Sequence, residues 1–308
     1  MQERKSLTLT STSISLDTSL YKEAQEKGTI LLGLGAMGGK ILNTFAGASI
    51  PTIGQDISIK IAEETIKDAK STVNKAVKRK KLSELQALLI NKRNLIGDTV
   101  VFKNSGAINF NELTKENINK FLTDNLSSEL LSKYQQASLV LEAGPEILSF
   151  KQNMARFFEL AIGTEKIFMT NTSSLKVSDI VEKMTCPENS IGFHYFLPAH
   201  INPLLEIIVH EKTSEKALDL AKCIALGMGK KPILCRKDEA GAIANRILVG
   251  VLNQSAKLLD QGVGNSNLID KIFLETFYEK QIKVQTKKAK NQFNAAPKLG
   301  FFKDEAEL

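Results

Sequence analysis

The chain has 308 residues, enough for two domains and a sizeable core, and its apolar content of 43% is ordinary for a globular protein. No apolar run approaches the ~20 residues that cross a bilayer as a helix, so we expect no membrane insertion. Three widely spaced cysteines, Cys186, Cys223 and Cys235, match neither a disulfide framework nor a zinc-ligand spacing and predict a reducing compartment.

The formal net charge is +7, and much of the basic excess lies in "KAVKRKKL" (75–82) and "KVQTKKAKNQ" (283–292). The first run has no aromatic side chain on which a base could stack, so nucleic acid is not the expected partner. Two interpretations remain for this run. It is either a solvated helix face or a contact surface for a polyphosphate ligand.

Residues 1–27 are polar and rich in Ser and Thr, and they include four acidic residues. Transit peptides avoid acids, and a secretory signal needs an apolar core that this segment lacks. We therefore expect a flexible N-terminal arm over 1–27 and a cytoplasmic location.

A glycine-rich turn follows the first predicted strand, "TILL". Gly33, Gly35 and Gly38 form the pattern G-x-G-x-x-G before a predicted helix, and Ala36 and Met37 lie inside the turn. The first glycine permits the tight turn, the second lets a pyrophosphate approach the backbone, and the third lets helix and strand pack closely. The segment is therefore predicted to bind a dinucleotide at the helix N-terminus.

Asp56 lies twenty-three residues after Gly33, close to the spacing at which such a site needs an acid for the ribose hydroxyls. A carboxylate there repels the 2′-phosphate of NADP, so NAD is the predicted cofactor. The alternative is that Asp56 is an acid at the N-terminus of the next helix.

Predicted strands recur at regular intervals, and helical periodicity fills most gaps between them. The later strands are 99–104, 137–143, 166–172, 190–196, 204–210 and 231–236. This alternation predicts an α/β fold, with a Rossmann-type, mainly parallel sheet covered on both faces. The domain is predicted to span 28–236, with an insertion at the sheet edge over about 105–136.

After Arg236 the predicted strands stop. A long helical pattern covers 239–262, and a second covers 268–282. Residues 237–308 are therefore predicted to form a smaller, all-helical C-terminal domain, and a ligand pocket is expected where the two domains meet.

Five motifs in one order resemble those of the L-3-hydroxyacyl-CoA dehydrogenase family of fatty acid β-oxidation. They are "GLGAMGGKI", "VLEAGPEILSFK", "TNTSSL", "GFHYFLPAHINPLLEII" and "GKKPILCRKDEAGAIANRIL". The resemblance implies NAD-dependent oxidation of L-3-hydroxyacyl-CoA to 3-ketoacyl-CoA. It also implies an acyl-CoA substrate and a homodimer formed through the helical domain.

His194 and Glu206, twelve residues apart, fall on the catalytic histidine and glutamate of this family. The chemistry supports the same roles, because alcohol oxidation by NAD requires removal of the hydroxyl proton as hydride leaves carbon. A neutral imidazole takes that proton, and a carboxylate orients the imidazole. A metal site would need a third ligand, which the pair lacks. His200, in the following loop, is expected to be structural.

The resemblance also assigns substrate contacts. Ser173 and Asn245 match the family's binders of the substrate oxygen; for Ser173 the alternative is a helix-capping serine. Lys75 and Arg79, in the basic run that also holds Lys78 and Lys80, lie where the family meets the phosphates of coenzyme A.

Three further residues fall on positions that line the cofactor in this family. They are Ala143, Glu146 and Lys151. For Glu146 and Lys151 the alternative is an ordinary exposed pair on a helix.

The chain departs from the family at Leu197, which replaces an asparagine near the nicotinamide, and in its last forty residues. We therefore expect a truncated or diverged helical domain. One alternative is a catalytically impaired or non-catalytic relative, or a fragment of a multifunctional β-oxidation protein, that binds nucleotide. Another is a β-hydroxyacid dehydrogenase that acts on a free acid with Lys257 as base, which the His–Glu spacing disfavours.

Overall fold

The computed structural model describes residues 18–80, 83, 84, 87, 96–101, 110 and 112–279. The first seventeen residues of the predicted arm and the whole second basic run, 283–292, lie outside the described residues.

Eight strands form one sheet in the order β3-β2-β1-β4-β5-β6-β7-β8. All neighbours are parallel except β6 and β7, which are antiparallel. The strands are β1 Thr29–Leu32, β2 Thr52–Asp56, β3 Ile96–Val101, β4 Leu139–Glu142, β5 Ile167–Thr170, β6 Ser190–Tyr195, β7 Leu204–Ile208 and β8 Lys231–Cys235. The predicted α/β fold with a mainly parallel sheet is confirmed. The strand order reverses between β1 and β4, which creates the crevice where such sheets bind ligands.

Helices cover both faces of the sheet. One apolar layer involves α1 Thr18–Lys27, α2 Gly38–Gly47, α3 Ile59–Lys78 and α8 Glu215–Gly227. The other involves α4 Lys115–Asn125, α5 Ser128–Gln136, α6 Leu148–Ile162 and the short α7 Val177–Ile180. Successive residues of one strand enter opposite layers, as Ile30 and Leu31 do. This explains why the strands read as nearly continuous apolar runs.

The predicted flexible arm is wrong for residues 18–27, which form α1. Ala24 is completely buried in the core. The Tyr21 hydroxyl donates a 2.7 Å hydrogen bond to the carbonyl oxygen of Ala48, just after α2. Burial of the apolar face against the sheet layer stabilises this helix, although its average composition is polar.

The second half of the predicted insertion is also part of the core rather than an addition at the sheet edge. Phe121 of α4 meets Phe157 of α6 edge to face at 6.5 Å between ring centroids. The buried hydroxyl of Tyr134 in α5 donates to Oε1 of Gln55 in β2 at 2.7 Å. These two helices therefore cover the sheet face on the way from the edge strand β3 back to the central strand β4.

The chain divides into two compact units, 1–242 and 243–308; the predicted division was 236/237. In the second unit the structure describes α9 Ala244–Asp260, α10 Ser266–Phe273 and a π-helical turn, Leu274–Glu279. The predicted helical character of this region is confirmed for these residues. Among the described helices, none is long and apolar enough to cross a membrane.

Candidate active site

The glycine-rich turn joins β1 to α2 at the carboxyl edge of the sheet. Gly33 has φ +86°, and a Cβ atom there would lie 2.6 Å from the carbonyl oxygen of Ala143, at the end of β4. Gly38 begins α2, and a Cβ atom there would collide with the carbonyl oxygen of Gly33. Both positions therefore need glycine for packing reasons alone.

The outer part of the turn is open. Gly35 and Ala36 are exposed, and a Cβ atom at Gly35 would meet nothing within 4 Å. Met37 is the N-cap residue of α2, and no side chain caps the helix there. Backbone N–H groups at an uncapped helix start are suited to bind a phosphate. This geometry fits the pyrophosphate of a dinucleotide.

Asp56 is the last residue of β2 and lies beside the turn. Its Oδ2 accepts a hydrogen bond from the backbone N–H of Leu34 at 2.9 Å, and its Oδ1 accepts one from Ser58 N–H at 2.9 Å. The helix N-cap is Ser58, whose side chain accepts from Ile61 N–H. Asp56 thus lies beside the glycine-rich turn, where the ribose-binding prediction places it, and it also accepts a bond at the start of α3, so both interpretations of this acid stay predictions.

A buried ion pair lies next to the turn, at the end of β4. Lys151 of α6 is 1% exposed, and its Nζ lies 2.8 and 2.9 Å from the two carboxylate oxygens of Glu142. Glu142 also accepts from Gly144 N–H at 2.7 Å and from the Thr170 hydroxyl at 2.7 Å. The alternative of an exposed helix pair is therefore wrong for Lys151. Sequence reasoning missed its main partner because Glu142 belongs to a strand.

Glu146 connects this ion pair with the segment that carries Ser173. Its Oε2 lies 3.3 Å from Lys151 Nζ. Its Oε1 accepts from the Thr172 hydroxyl at 2.6 Å, from the backbone N–H groups of Ser173 at 2.9 Å and Ser174 at 2.8 Å, and from the Ser174 hydroxyl. Partial burial raises the carboxyl pKa, but these bonds and Lys151 outweigh it and hold the pKa of Glu146 at about 2.

His194 and Glu206 are directly paired across the antiparallel strands β6 and β7. His194 Nδ1 lies 2.8 Å from Glu206 Oε2, and the two residues are 4% and 1% exposed. The ring of Phe196 lies 4.8 Å from the imidazole, centroid to centroid. An Nδ1–H that donates to the carboxylate leaves the lone pair of the neutral ring on Nε2.

Asn171 is a buried residue of this region that sequence reasoning missed. Its side-chain Oδ1 accepts a 2.8 Å hydrogen bond from the backbone N–H of Tyr195, the residue after His194. A polar residue directly after an apolar strand was the available signal, but it does not tell which strand the side chain will meet.

The remaining predicted residues lie on the following elements. Asn245 is the second residue of α9 and belongs to the second unit. Lys75 is exposed in the last turn of α3, and Arg79 is its C-cap residue. Leu197 is 66% exposed in the loop after β6. His200 is half-buried, and burial together with Lys40 and Lys230 lowers its pKa below the usual value.

The sequence model of one protein family matches residues 102–239, and its description is "3-hydroxyacyl-CoA dehydrogenase, NAD binding domain". This part of the chain is similar to the NAD-binding domain of 3-hydroxyacyl-CoA dehydrogenases. The predicted family resemblance is thereby confirmed, and NAD is the cofactor of the matched domain. The match includes the ion pair, the Ser173 segment and the His194–Glu206 pair, whereas the glycine-rich turn precedes it.

Curated relatives agree with this assignment. The alpha subunit of the fatty acid oxidation complex of Shewanella putrefaciens is 34% identical over 237 residues, which is 77% of this chain and 29% of the relative. The corresponding subunit of Vibrio vulnificus is 44% identical over 128 residues, 42% of this chain and 18% of the relative. The chain thus spans less than a third of the length of these relatives.

Solved structures agree on the fold. (S)-3-hydroxybutyryl-CoA dehydrogenase from Ralstonia eutropha has a TM-score of 0.66 at 20% identity, over 80% of this chain and 76% of that chain. 3-Hydroxybutyryl-CoA dehydrogenase from Escherichia coli has a TM-score of 0.64 at 23% identity, over 80% and 46%. At such identities the likeness establishes the fold alone.

Proposed function

We propose that this chain catalyses NAD-dependent oxidation of an L-3-hydroxyacyl-CoA to the 3-ketoacyl-CoA. The observation that carries the proposal is the buried His194–Glu206 pair at the carboxyl edge of an NAD-binding sheet. A base must face the reacting alcohol and be held in one tautomer, and a hydrogen bond from Nδ1 to a carboxylate provides both.

The chain's residues fit the cofactor. Space above Gly35 and the uncapped start of α2 suit the pyrophosphate, and Asp56 beside the turn suits the ribose hydroxyls. When bound, NAD supplies the hydride acceptor.

In the proposed reaction His194 takes the hydroxyl proton on Nε2. Glu206 stays ionised, keeps the proton on Nδ1 and stabilises the imidazolium that results. Ser173 is proposed to bind the substrate oxygen, since Glu146 holds the backbone of its segment and leaves Ser173 at the exposed edge. Asn245 is proposed to contact the same oxygen or the thioester, on the strength of the resemblance alone.

The phosphates of coenzyme A are proposed to meet α3. One face of this helix forms an open, basic groove, lined by Lys67, Lys70, Ser71, Asn74, Lys75 and Lys78. Four lysines on one face give an anion a diffuse attractive field. Arg79, at the helix C-cap, extends that charge.

The test follows NADH oxidation by the purified chain with acetoacetyl-CoA, with NADPH as the cofactor control. Turnover with NADH and not with NADPH supports the reaction and the role of Asp56. His194→Gln should lower turnover by a factor of about 100 to 10,000, the usual contribution of a general base, while NADH still binds. His200→Gln, in the adjacent loop, is the matched control and should keep full turnover.

Two results contradict the proposal. Full activity of His194→Gln would remove the pair from the mechanism. NADH binding without turnover on any acyl-CoA would favour a non-catalytic, nucleotide-binding relative. Activity on a free hydroxyacid without coenzyme A would instead revive the β-hydroxyacid dehydrogenase alternative.

Homodimer formation and a cytoplasmic location stay predictions.

A further inference from the structure

The hydrogen-bond ladder between β5 and β6 stops before β6 ends. The last paired residues are Thr170 and Gly192, yet β6 continues to Tyr195. Beyond that point a side chain replaces the backbone partner: Asn171 Oδ1 accepts a hydrogen bond from Tyr195 N–H at 2.8 Å. Its own backbone N–H donates to the carbonyl oxygen of Glu142 at 2.7 Å. One buried residue therefore joins the ends of three strands.

The two segments that Asn171 joins carry the proposed reacting groups. Asn171 stands two residues before Ser173, and Glu146 accepts hydrogen bonds from the Thr172 hydroxyl and from the backbone N–H of Ser173. Tyr195 directly follows His194, whose imidazole is held by Glu206. Each reacting group thus has its own support, and the Asn171–Tyr195 bond connects the two supports.

We propose that Asn171 is a positioning residue that sets the distance and orientation between Ser173 and His194. The inference rests on the proposed function, in which these residues act on one oxygen. Asn171 touches neither the proton nor the substrate in this scheme. Its side-chain oxygen fixes the backbone that presents His194, and misplacement of a reacting group by about 1 Å can lower a rate about 100-fold.

Three variants test the inference. Asn171→Leu keeps the branching at Cγ but has no acceptor oxygen, and Asn171→Asp keeps an acceptor. Asn189→Leu, just before the opposite end of β6 and half-buried, is the matched control. We would measure kcat and KM with acetoacetyl-CoA, the Kd for NADH, and amide hydrogen exchange in peptides covering 171–176 and 190–197.

The expected result is a fall of about 10- to 100-fold in kcat for Asn171→Leu, with KM and the Kd for NADH changed less than about threefold. Exchange should accelerate in both peptides, because the bond connects them. Asn171→Asp should restore most of the rate and the protection, and Asn189→Leu should match the wild type. If Asn171 had a purely structural role, Asn171→Leu would lower the thermal stability, but it would not lower kcat while leaving KM and the Kd for NADH unchanged.

Two results would overturn the inference: unchanged exchange in both peptides of Asn171→Leu, or equal losses in Asn171→Leu and Asn171→Asp. If Asn171→Leu does not fold, Asn171→Ala withdraws the acceptor with less bulk and takes its place. If the wild type turns over no hydroxyacyl-CoA, the proposed function fails by itself. The exchange data then still decide whether Asn171 couples the two segments.

Discussion

Replacement of Glu206 by glutamine tests the site most directly. The change keeps the size of the side chain but removes its charge, 2.8 Å from His194 Nδ1 in a buried pair. The glutamine amide can present its NH₂ group to Nδ1, which places the ring proton on Nε2 and removes the basic lone pair. Even in the correct tautomer, the imidazolium formed during the reaction loses its carboxylate partner.

The magnitude follows from this geometry. A charge-assisted hydrogen bond contributes roughly 1.5–3 kcal/mol, and a charge pair at about 4 Å roughly 4 kcal/mol at an effective dielectric constant of about 20. A loss of about 2–4 kcal/mol in the transition state corresponds to a fall of roughly 30- to 1,000-fold in kcat.

The assay is NADH oxidation with saturating acetoacetyl-CoA, supported by NADH titration and thermal unfolding. NADH affinity should stay within about threefold of wild type, since Glu206 lies outside the glycine-rich turn. Glu211→Gln, an exposed glutamate just after β7, is the matched control and should retain full kcat. A kcat for Glu206→Gln within about threefold of wild type, at full cofactor saturation, would refute the assigned role of the carboxylate.

Three further predictions concern the cofactor side of the site. Lys151→Met leaves the buried Glu142 carboxylate without its cation and should lower the free energy of unfolding by about 3–5 kcal/mol, measured by urea titration; a loss below about 1 kcal/mol would contradict the ion pair. Gly38→Ala places a methyl group against the Gly33 carbonyl oxygen and should weaken NADH binding at least about tenfold by calorimetry, whereas unchanged affinity would mean that the turn adjusts freely. Glu146, with a pKa lowered to about 2 against an ordinary 4.5, is deprotonated in the folded state where the unfolded chain binds a proton. The stabilisation by this carboxylate is therefore present above about pH 4.5 and is lost as the pH falls towards 2. In urea titrations between pH 5 and 3, the free energy of unfolding of Glu146→Gln should depend less on pH than that of the wild type. An unchanged slope would contradict the lowered pKa of Glu146. Lys27→Met, at an exposed lysine in a salt bridge, is the matched control for Lys151→Met. Gly47→Ala, at a glycine with open space around it, is the matched control for Gly38→Ala.

The layered α/β fold and the glycine-rich turn could be predicted from the sequence alone. Apolar runs bounded by helical periodicity mark strands wherever both faces are buried, and the structure adds only small changes at their ends. The glycine pattern can be recognised because Gly33 has a positive φ and Gly38 packs against the carbonyl oxygen of Gly33, five residues earlier; the approach of Ala143 to Gly33 is an additional, long-range contact. Local steric requirements leave a local sequence signal.

The weaker predictions failed where long-range packing outweighs local composition. Residues 18–27 are polar on average, yet Ala24 and Tyr21 bury one face of a helix against the core. Lys151 had an exposed pair with Glu146 as its alternative, yet it is buried and its main partner is Glu142, from a neighbouring strand. Average polarity and helical spacing contain no information on which distant surface a side chain meets.

The arrangement of the reacting groups could not be predicted from the sequence, because it depends on strand pairing. A separation of twelve residues between His194 and Glu206 is compatible with many pairings, and the antiparallel register of β6 and β7 selects the one that sets them side by side. The Asn171–Tyr195 bond likewise depends on β5 ending before β6 does. Strand register is fixed by the packing of the whole sheet against its two helical layers, so no short stretch of sequence specifies it.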